Sequence, residues 1–231
     1  MAAVQMMTRM TTSNLARNVA AVHARIADAC ARSGRNVDDI TLVAVSKTVD
    51  CAIVGAAAHL PEELACHVFG ENRVQELQRK VEGCPDQTFH MIGTLQRNKV
   101  RHVVGNVALI HSVDSQRLLD EIDRQACAKG VVQDVLLQVN VSGEETKQGL
   151  EAFEVGPLLE YSRALAGVNV VGLMTMAPFG EPEESRPFFR ALRMLGELHG
   201  LSQLSMGMSN DYEVAVEEGA TLLRVGSALF G

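Results

Sequence analysis

No apolar run in the 231 residues approaches the 18 or more that a membrane-spanning helix needs, which excludes an integral helical membrane protein. A basic stripe is missing too. Lysine and arginine number 21 against 28 aspartates and glutamates, a net charge of −7, so a non-specific nucleic-acid binder is excluded. Cysteine is scarce and unpaired in spacing: Cys30, Cys51, Cys66, Cys84 and Cys127 stand singly. An odd, scattered set argues against a disulfide framework and a zinc knuckle, and points to reduced thiols in a cytoplasmic setting. The N-terminus has no apolar signal core. No acid precedes Asp28, whereas Arg9, Arg17 and Arg25 do, a composition shared with transit peptides. The simpler reading is a disordered Met/Thr-rich leader over 1–13. The sequence contains no G-x-S-x-G, H-E-x-x-H, G-x-G-x-x-G or Walker loop, so the usual hydrolase, zincin and dinucleotide signatures are missing. No metal site is indicated. No Pro/Gly/Ser-rich linker and no internal repeat interrupts 14–231, which reads as one domain.

What is present is an ordinary globular balance, 47% apolar and 21% charged, arranged in alternation. Eight β-rich runs lie at 41–47, 66–72, 88–95, 107–113, 134–141, 169–177, 203–209 and 221–229. Most carry apolar residues on both parities, as strands buried on both faces do. Between them, apolar residues recur at three- and four-residue spacing. Leu15, Val19, Val22 and Ile26 mark one face of a helix over 14–33; Leu118, Leu119, Ile122 and Ala126 mark another over 116–129. A third helix over 187–199 carries Phe188, Leu192 and Leu195 and meets a stop at Gly200. Segments 50–60, 73–82, 96–105, 150–166 and 211–219 fit the same role. Strands alternating with helices predict parallel βα units, and eight of them fall within the roughly 200–400 residues of a closed barrel. The expected fold is α/β, a single (β/α)8 TIM barrel with an extra N-terminal helix. The runner-up is an open doubly wound sheet.

In a barrel, working groups sit where strands end and βα loops begin. Lys47 closes the first strand on the side of Val43 and Val45. If that side faces inward, an amine stands over an apolar floor, where desolvation frees the neutral form that attacks a carbonyl. The alternative is a lysine whose stem packs while its head reaches water. Asn72, after Gly70 at the end of the second strand, is either a ligand-holding amide or a turn and cap residue. At the seventh and eighth strands, Ser209, Gly226 and Ser227 have the composition of a phosphate cup: glycine lets backbone N–H groups approach an anion and serine adds donors. Two ordinary glycine turns with capping serines are the alternative. His90 and His111, inside strand-like runs without metal-ligand spacing, read as satisfied core or rim histidines. The Met-rich segments 173–176 and 206–208 read as core filler. Residues 144–147 read as a solvated loop with a helix start. An amine at strand one and an anion cup at strands seven and eight together suit an aldehyde that carries a phosphate. Pyridoxal 5′-phosphate fits, and a sugar phosphate in an aldolase-like site fits less specifically.

Seven stretches then carry a resemblance: LVAVSKT (42–48), FGENRVQE (69–76), FHMIGTLQRNK (89–99), HSVDS (111–115), GLMTMAP (172–178), SMGMSND (205–211) and LLRVGSALFG (222–231). In this order they resemble the pyridoxal phosphate homeostasis proteins, whose barrel is similar to the N-terminal domain of alanine racemase. The resemblance implies that Lys47 forms the internal aldimine with pyridoxal 5′-phosphate and that Asn72 lines its pocket. It implies that Ser209, Gly226 and Ser227 hold the phosphate, and that Arg224 faces the pyridine nitrogen. A guanidinium only donates, so that nitrogen must accept and stay unprotonated, which makes the ring a poor electron sink. Family members often carry Trp where Phe89 stands and Pro where Thr94 stands, which changes loop packing.

Racemases of this barrel type draw an opposing tyrosine from a second domain and a partner subunit, whereas this sequence ends with the barrel. Its two tyrosines are Tyr161, in an outer helical segment, and Tyr212, beside the expected cup. The expectation is a monomeric cytoplasmic carrier that holds pyridoxal phosphate, with pyridoxal-phosphate-dependent apoenzymes as its partners and no robust turnover. A small amino-acid racemase working through Lys47 is the alternative.

Overall fold

The computed structural model describes residues 12–144 and 148–231. The expected leader, apart from its last two residues, and the expected helix start at 145–147 lie outside the described residues. The chain alternates strands and helices: α1 (Thr12–Ser33), β1 (Thr41–Val45), α2 (Cys51–Ala58), β2 (Val68–Glu71), α3 (Val74–Gly83), β3 (Thr88–Met91), β4 (Leu109–Val113), α4 (Gln116–Lys129) and β5 (Gln133–Gln138). It continues through α5 (Ala152–Ser162), β6 (Val168–Met174), α6 (Arg186–His199), β7 (Gln203–Met208), α7 (Tyr212–Glu217), β8 (Leu222–Val225) and α8 (Ser227–Phe230). All pairings are parallel, and β1 bonds both β2 and β8, so the sheet closes on itself. This is a TIM barrel with one helix before the first strand, and the open doubly wound alternative is overturned by the β1–β8 ladder.

The two parities of each strand serve two cores. Val43, Leu109, Leu136, Met174 and Leu222, all from strands, pack together inside the barrel. Their neighbours Ala44, Phe69, Ile110, Leu173 and Leu223 instead pack with helical residues such as Leu77, Leu119, Val155 and Leu192. Apolar side chains on both faces are what a fully covered parallel sheet requires. Helix α1 buries Leu15, Val19, Val22 and Ile26, and it lies against α7 and α8. Gly200, at φ +67°, ends α6 in the left-handed conformation that L side chains avoid.

Two expectations are corrected. The segment 96–105 forms a 3-10 helix over Arg97–His102 rather than an α-helix. It has only Val100, Val103 and Val104 to bury, too short an apolar face to fix several α-helical turns. The run 221–229 is not one strand: it breaks at Gly226, and Ser227 opens α8. Among the described residues no helix is long and apolar enough to cross a membrane.

Candidate functional site

Lys47, Asn72, Ser209, Arg224, Gly226 and Ser227 each stand at or near the C-terminal end of a strand, the barrel's working face. Lys47 follows β1 by two residues, Asn72 follows β2, and Ser209 follows β7. Gly226 and Ser227 follow β8, and Arg224 lies within it. Because Val43 belongs to the interior cluster, period-2 alternation puts Val45 on the inner side, and Lys47 lies in the turn that follows the end of β1. The expected apolar floor is therefore present, but Lys47 is exposed rather than sunk onto it. A lysine stem carries its head group several ångströms above its backbone, out of the shade of Val45. Asn72 is also exposed, and it does not cap α3; Arg73 holds that position.

The cup residues meet. Gly226 N donates to Ser209 Oγ at 3.1 Å and Ala228 N donates to the same oxygen at 3.4 Å. The loops after β7 and β8 are thereby drawn together beside β1. A Cβ on Gly226 would lie 3.2 Å from Val45 Cβ and 3.3 Å from Val45 O, so the strand carrying Lys47 and the cup touch where only glycine fits easily. Ser227 is exposed above this contact. The hydroxyl of Ser209 accepts from within and retains its own proton to donate outward.

Below the mouth the interior turns polar. Arg224 is buried, with Nη1 donating to Ser205 Oγ at 2.5 Å and Nη2 to Thr175 O at 2.9 Å. Among the described residues no carboxylate bonds it, and burial pushes its guanidinium down to about 10, with the charge of Asp211 opposing that shift. It therefore remains a cation at neutral pH. His111 Nδ1 lies 2.8 Å from Ser205 Oγ, and its Nε2 lies 3.0 Å from His90 Nδ1. Both histidines are satisfied core residues, as their isolated positions suggested. Burial pushes His90 down to about 4; burial and then the charges of His90 and Arg224 push His111 well below its ordinary value of 6.5.

These depressed values give stability a sign. An unfolded imidazole takes up its proton near pH 6.5, whereas the folded ones resist, so the unfolded chain binds more protons below that pH. Stability should be full above pH 6.5 and fall as the pH drops from there towards about 4. Each of the two histidines contributes a loss of about 1 kcal/mol per pH unit. Urea unfolding at pH 7.5 and 5.5, above the main carboxylate range, measures it; His90→Gln should flatten the slope.

Two constellations were missed from the sequence. One is the His90–His111–Ser205–Arg224 line, whose members are joined only by barrel closure. The other is a buried ion pair between β2 and α3: Lys80, on α3, bonds Glu71 and the Ser46 carbonyl, while Ser46 Oγ donates to Glu71 Oε1 at 2.6 Å. Lys80 falls on the face that buries Val74 and Leu77, and a lysine on an apolar helical face was the available signal. The Met-rich segments divide: Met174 and Met206 are core, whereas Met176 and Met208 are exposed. At the two departures from the family pattern, Phe89 packs near Phe69 with ring centroids 6.1 Å apart, and Thr94 Oγ1 donates to Gln148 Oε1 at 2.7 Å. Neither tyrosine is a free group at the mouth: Tyr161 donates to Asp120 at 2.8 Å, and Tyr212 is buried at the start of α7.

Chemically, the mouth offers a primary amine, an anion cradle and a buried cation that only donates. Residues 13–231 match the family model described as alanine racemase, N-terminal domain. The chain is 46% identical over 227 residues to the pyridoxal phosphate homeostasis protein of Aquifex aeolicus, covering 94% of this chain and 98% of that one. It is 38% identical to the protein of the same name from Pseudomonas aeruginosa, covering 95% and 96%. Among solved structures, PipY of Synechococcus elongatus with PLP bound superimposes with a TM-score of 0.75 at 36% identity, covering 91% of this chain and 100% of that one. An alanine racemase of Clostridium difficile, at 12% identity and a TM-score of 0.71, shares the fold over 93% of this chain and 56% of its own.

Proposed function

The chain belongs to the pyridoxal phosphate homeostasis protein family, and from that premise we propose that it binds pyridoxal 5′-phosphate at the barrel mouth, retains it covalently on Lys47, and stores and releases it in the cytoplasm. The observation that carries this reading is the Gly226–Ser209 hydrogen bond, which sets an anion cradle against the strand that presents Lys47. Lys47 supplies the amine for the aldehyde. Ser209, with Gly226 and Ser227 beside it, supplies donors for the phosphate. Asn72 stands at the end of the neighbouring strand to meet a ring substituent.

When bound, the cofactor supplies a conjugated ring that draws electrons from an attached carbon most strongly when its nitrogen is protonated. Arg224 works against that state. Its guanidinium stays charged, offers only donors, and can hold a ring nitrogen solely as an acceptor. Two-sided proton transfer also needs an acid–base group on each face of the reacting carbon. The hydroxyl of Tyr161 is committed to Asp120 and Tyr212 is buried in α7, so neither is proposed as one. The function these residues favour is holding and handing on the cofactor as a monomer, with pyridoxal-phosphate-dependent apoenzymes as recipients, and without robust turnover.

Incubating the loaded protein with L-amino acids and assaying the D-enantiomers tests the reading. The expected result is a stable bound-cofactor absorbance without sustained racemisation. Steady turnover that disappears in Lys47→Ala would instead make the protein a racemase.

A further inference from the structure

Four buried side chains from β3, β4, β7 and β8 form one line across the barrel: His90, His111, Ser205 and Arg224. The donor order along it is not free. Arg224 can only donate, so Ser205 Oγ accepts from it at 2.5 Å. The Ser205 hydroxyl is fully buried and its proton needs an acceptor. Among the described residues its only other partner is His111 Nδ1, at 2.8 Å, which must therefore be bare. A neutral imidazole with a bare Nδ1 carries its proton on Nε2, and that proton points at His90 Nδ1, 3.0 Å away. His90 in turn carries its proton on Nε2. The arginine thus polarises the whole line in one direction.

We infer that His90, His111 and Ser205 form a one-directional hydrogen-bond chain that fixes the aim of the Arg224 guanidinium, making Ser205 and His111 positioning residues for the ring nitrogen of the bound cofactor. The inference rests on the cofactor reading proposed above. Two corners of the guanidinium are pinned, Nη1 by Ser205 and Nη2 by the Thr175 carbonyl at 2.9 Å. A pinned fork loses little further freedom when it meets an acceptor, whereas a free arginine side chain loses most of its rotamers. Ser205 holds its corner because His111 takes the serine proton, and His111 keeps the required tautomer because His90 accepts from Nε2. The two histidines, inert as acids or bases in this burial, act as dipoles of fixed direction.

The experiment has two arms. In the first, nitrogen-15 NMR of histidine-labelled protein without cofactor reads the tautomers. The Nε2–H form is expected at both His111 and His90, and a proton on Nδ1 of His111 overturns the chain. In the second, affinities for pyridoxal 5′-phosphate and for its 1-deaza analogue, which has carbon in place of the ring nitrogen, are compared in the unsubstituted protein and in Ser205→Ala. The variant should bind the natural cofactor about tenfold more weakly while its affinity for the deaza analogue is unchanged. Equal losses for both ligands, or no loss for either, overturn the positioning role. Failure of the unsubstituted protein to bind either ligand overturns the cofactor reading instead, and the tautomer measurement still decides the chain.

Discussion

Lys80→Met is expected to lower the stability of the fold by about 3–5 kcal/mol, the cost of leaving a buried charge without its partner. Glu71 is fully buried, and Lys80 nearly so. Among the described residues the lysine is the only cation bonded to that carboxylate, and Oε2 of Glu71 already lacks a hydrogen-bond partner. Methionine matches the length of the lysine stem and fills its space, so the loss isolates the charge. The double substitution Glu71→Met with Lys80→Met should recover much of the difference, since replacing a buried pair by apolar residues is often neutral. Denaturant unfolding of the two variants measures both. A loss below about 1 kcal/mol in Lys80→Met would mean that water reaches Glu71 and that the pair is not sealed. The pair matters to the site because Lys80 also grips the Ser46 carbonyl, the peptide that leads into Lys47.

Lys47→Ala is expected to have the opposite profile: complete loss of covalent cofactor retention with an unfolding free energy within about 0.5 kcal/mol of the unsubstituted protein. The side chain is exposed, so truncating it opens no cavity and strands no partner. Gel filtration after loading with pyridoxal 5′-phosphate, followed by absorbance and denaturant unfolding, reads the two effects separately. Retention of the cofactor in Lys47→Ala at the unsubstituted level would remove the lysine from the site.

The barrel was legible because its strands are apolar on both faces: Val43 inside and Ala44 outside are neighbours in one run, a pattern that requires cover on both sides. Strand ends were less legible, since Leu229 continues the apolar character of β8 although the backbone has already turned at Gly226 into α8. The mouth residues could be named because strand termini and loop glycines are local features. Their surroundings could not. Ser205 and His111 are 94 residues apart in sequence and meet only when the sheet closes. Lys80 shares an apolar helical face with Val74 and Leu77, but its partners Glu71 and Ser46 come beneath it only in the folded chain. The exposure of Lys47, one of two readings the sequence left open, could not be decided for a related reason: where β1 gives way to a turn, after Val45, is not marked in the apolar pattern.

Borohydride reduction of the protein loaded with pyridoxal 5′-phosphate, followed by proteolysis and mass spectrometry, asks most directly where the aldehyde is held. A pyridoxyl adduct on Lys47, in the peptide that carries Ser46 and Thr48, is the result that follows from an amine just past the end of β1, whose Val45 lies against Gly226 of the proposed cradle. An adduct mainly on another lysine, such as Lys99 or Lys129, or no adduct at all, would contradict it.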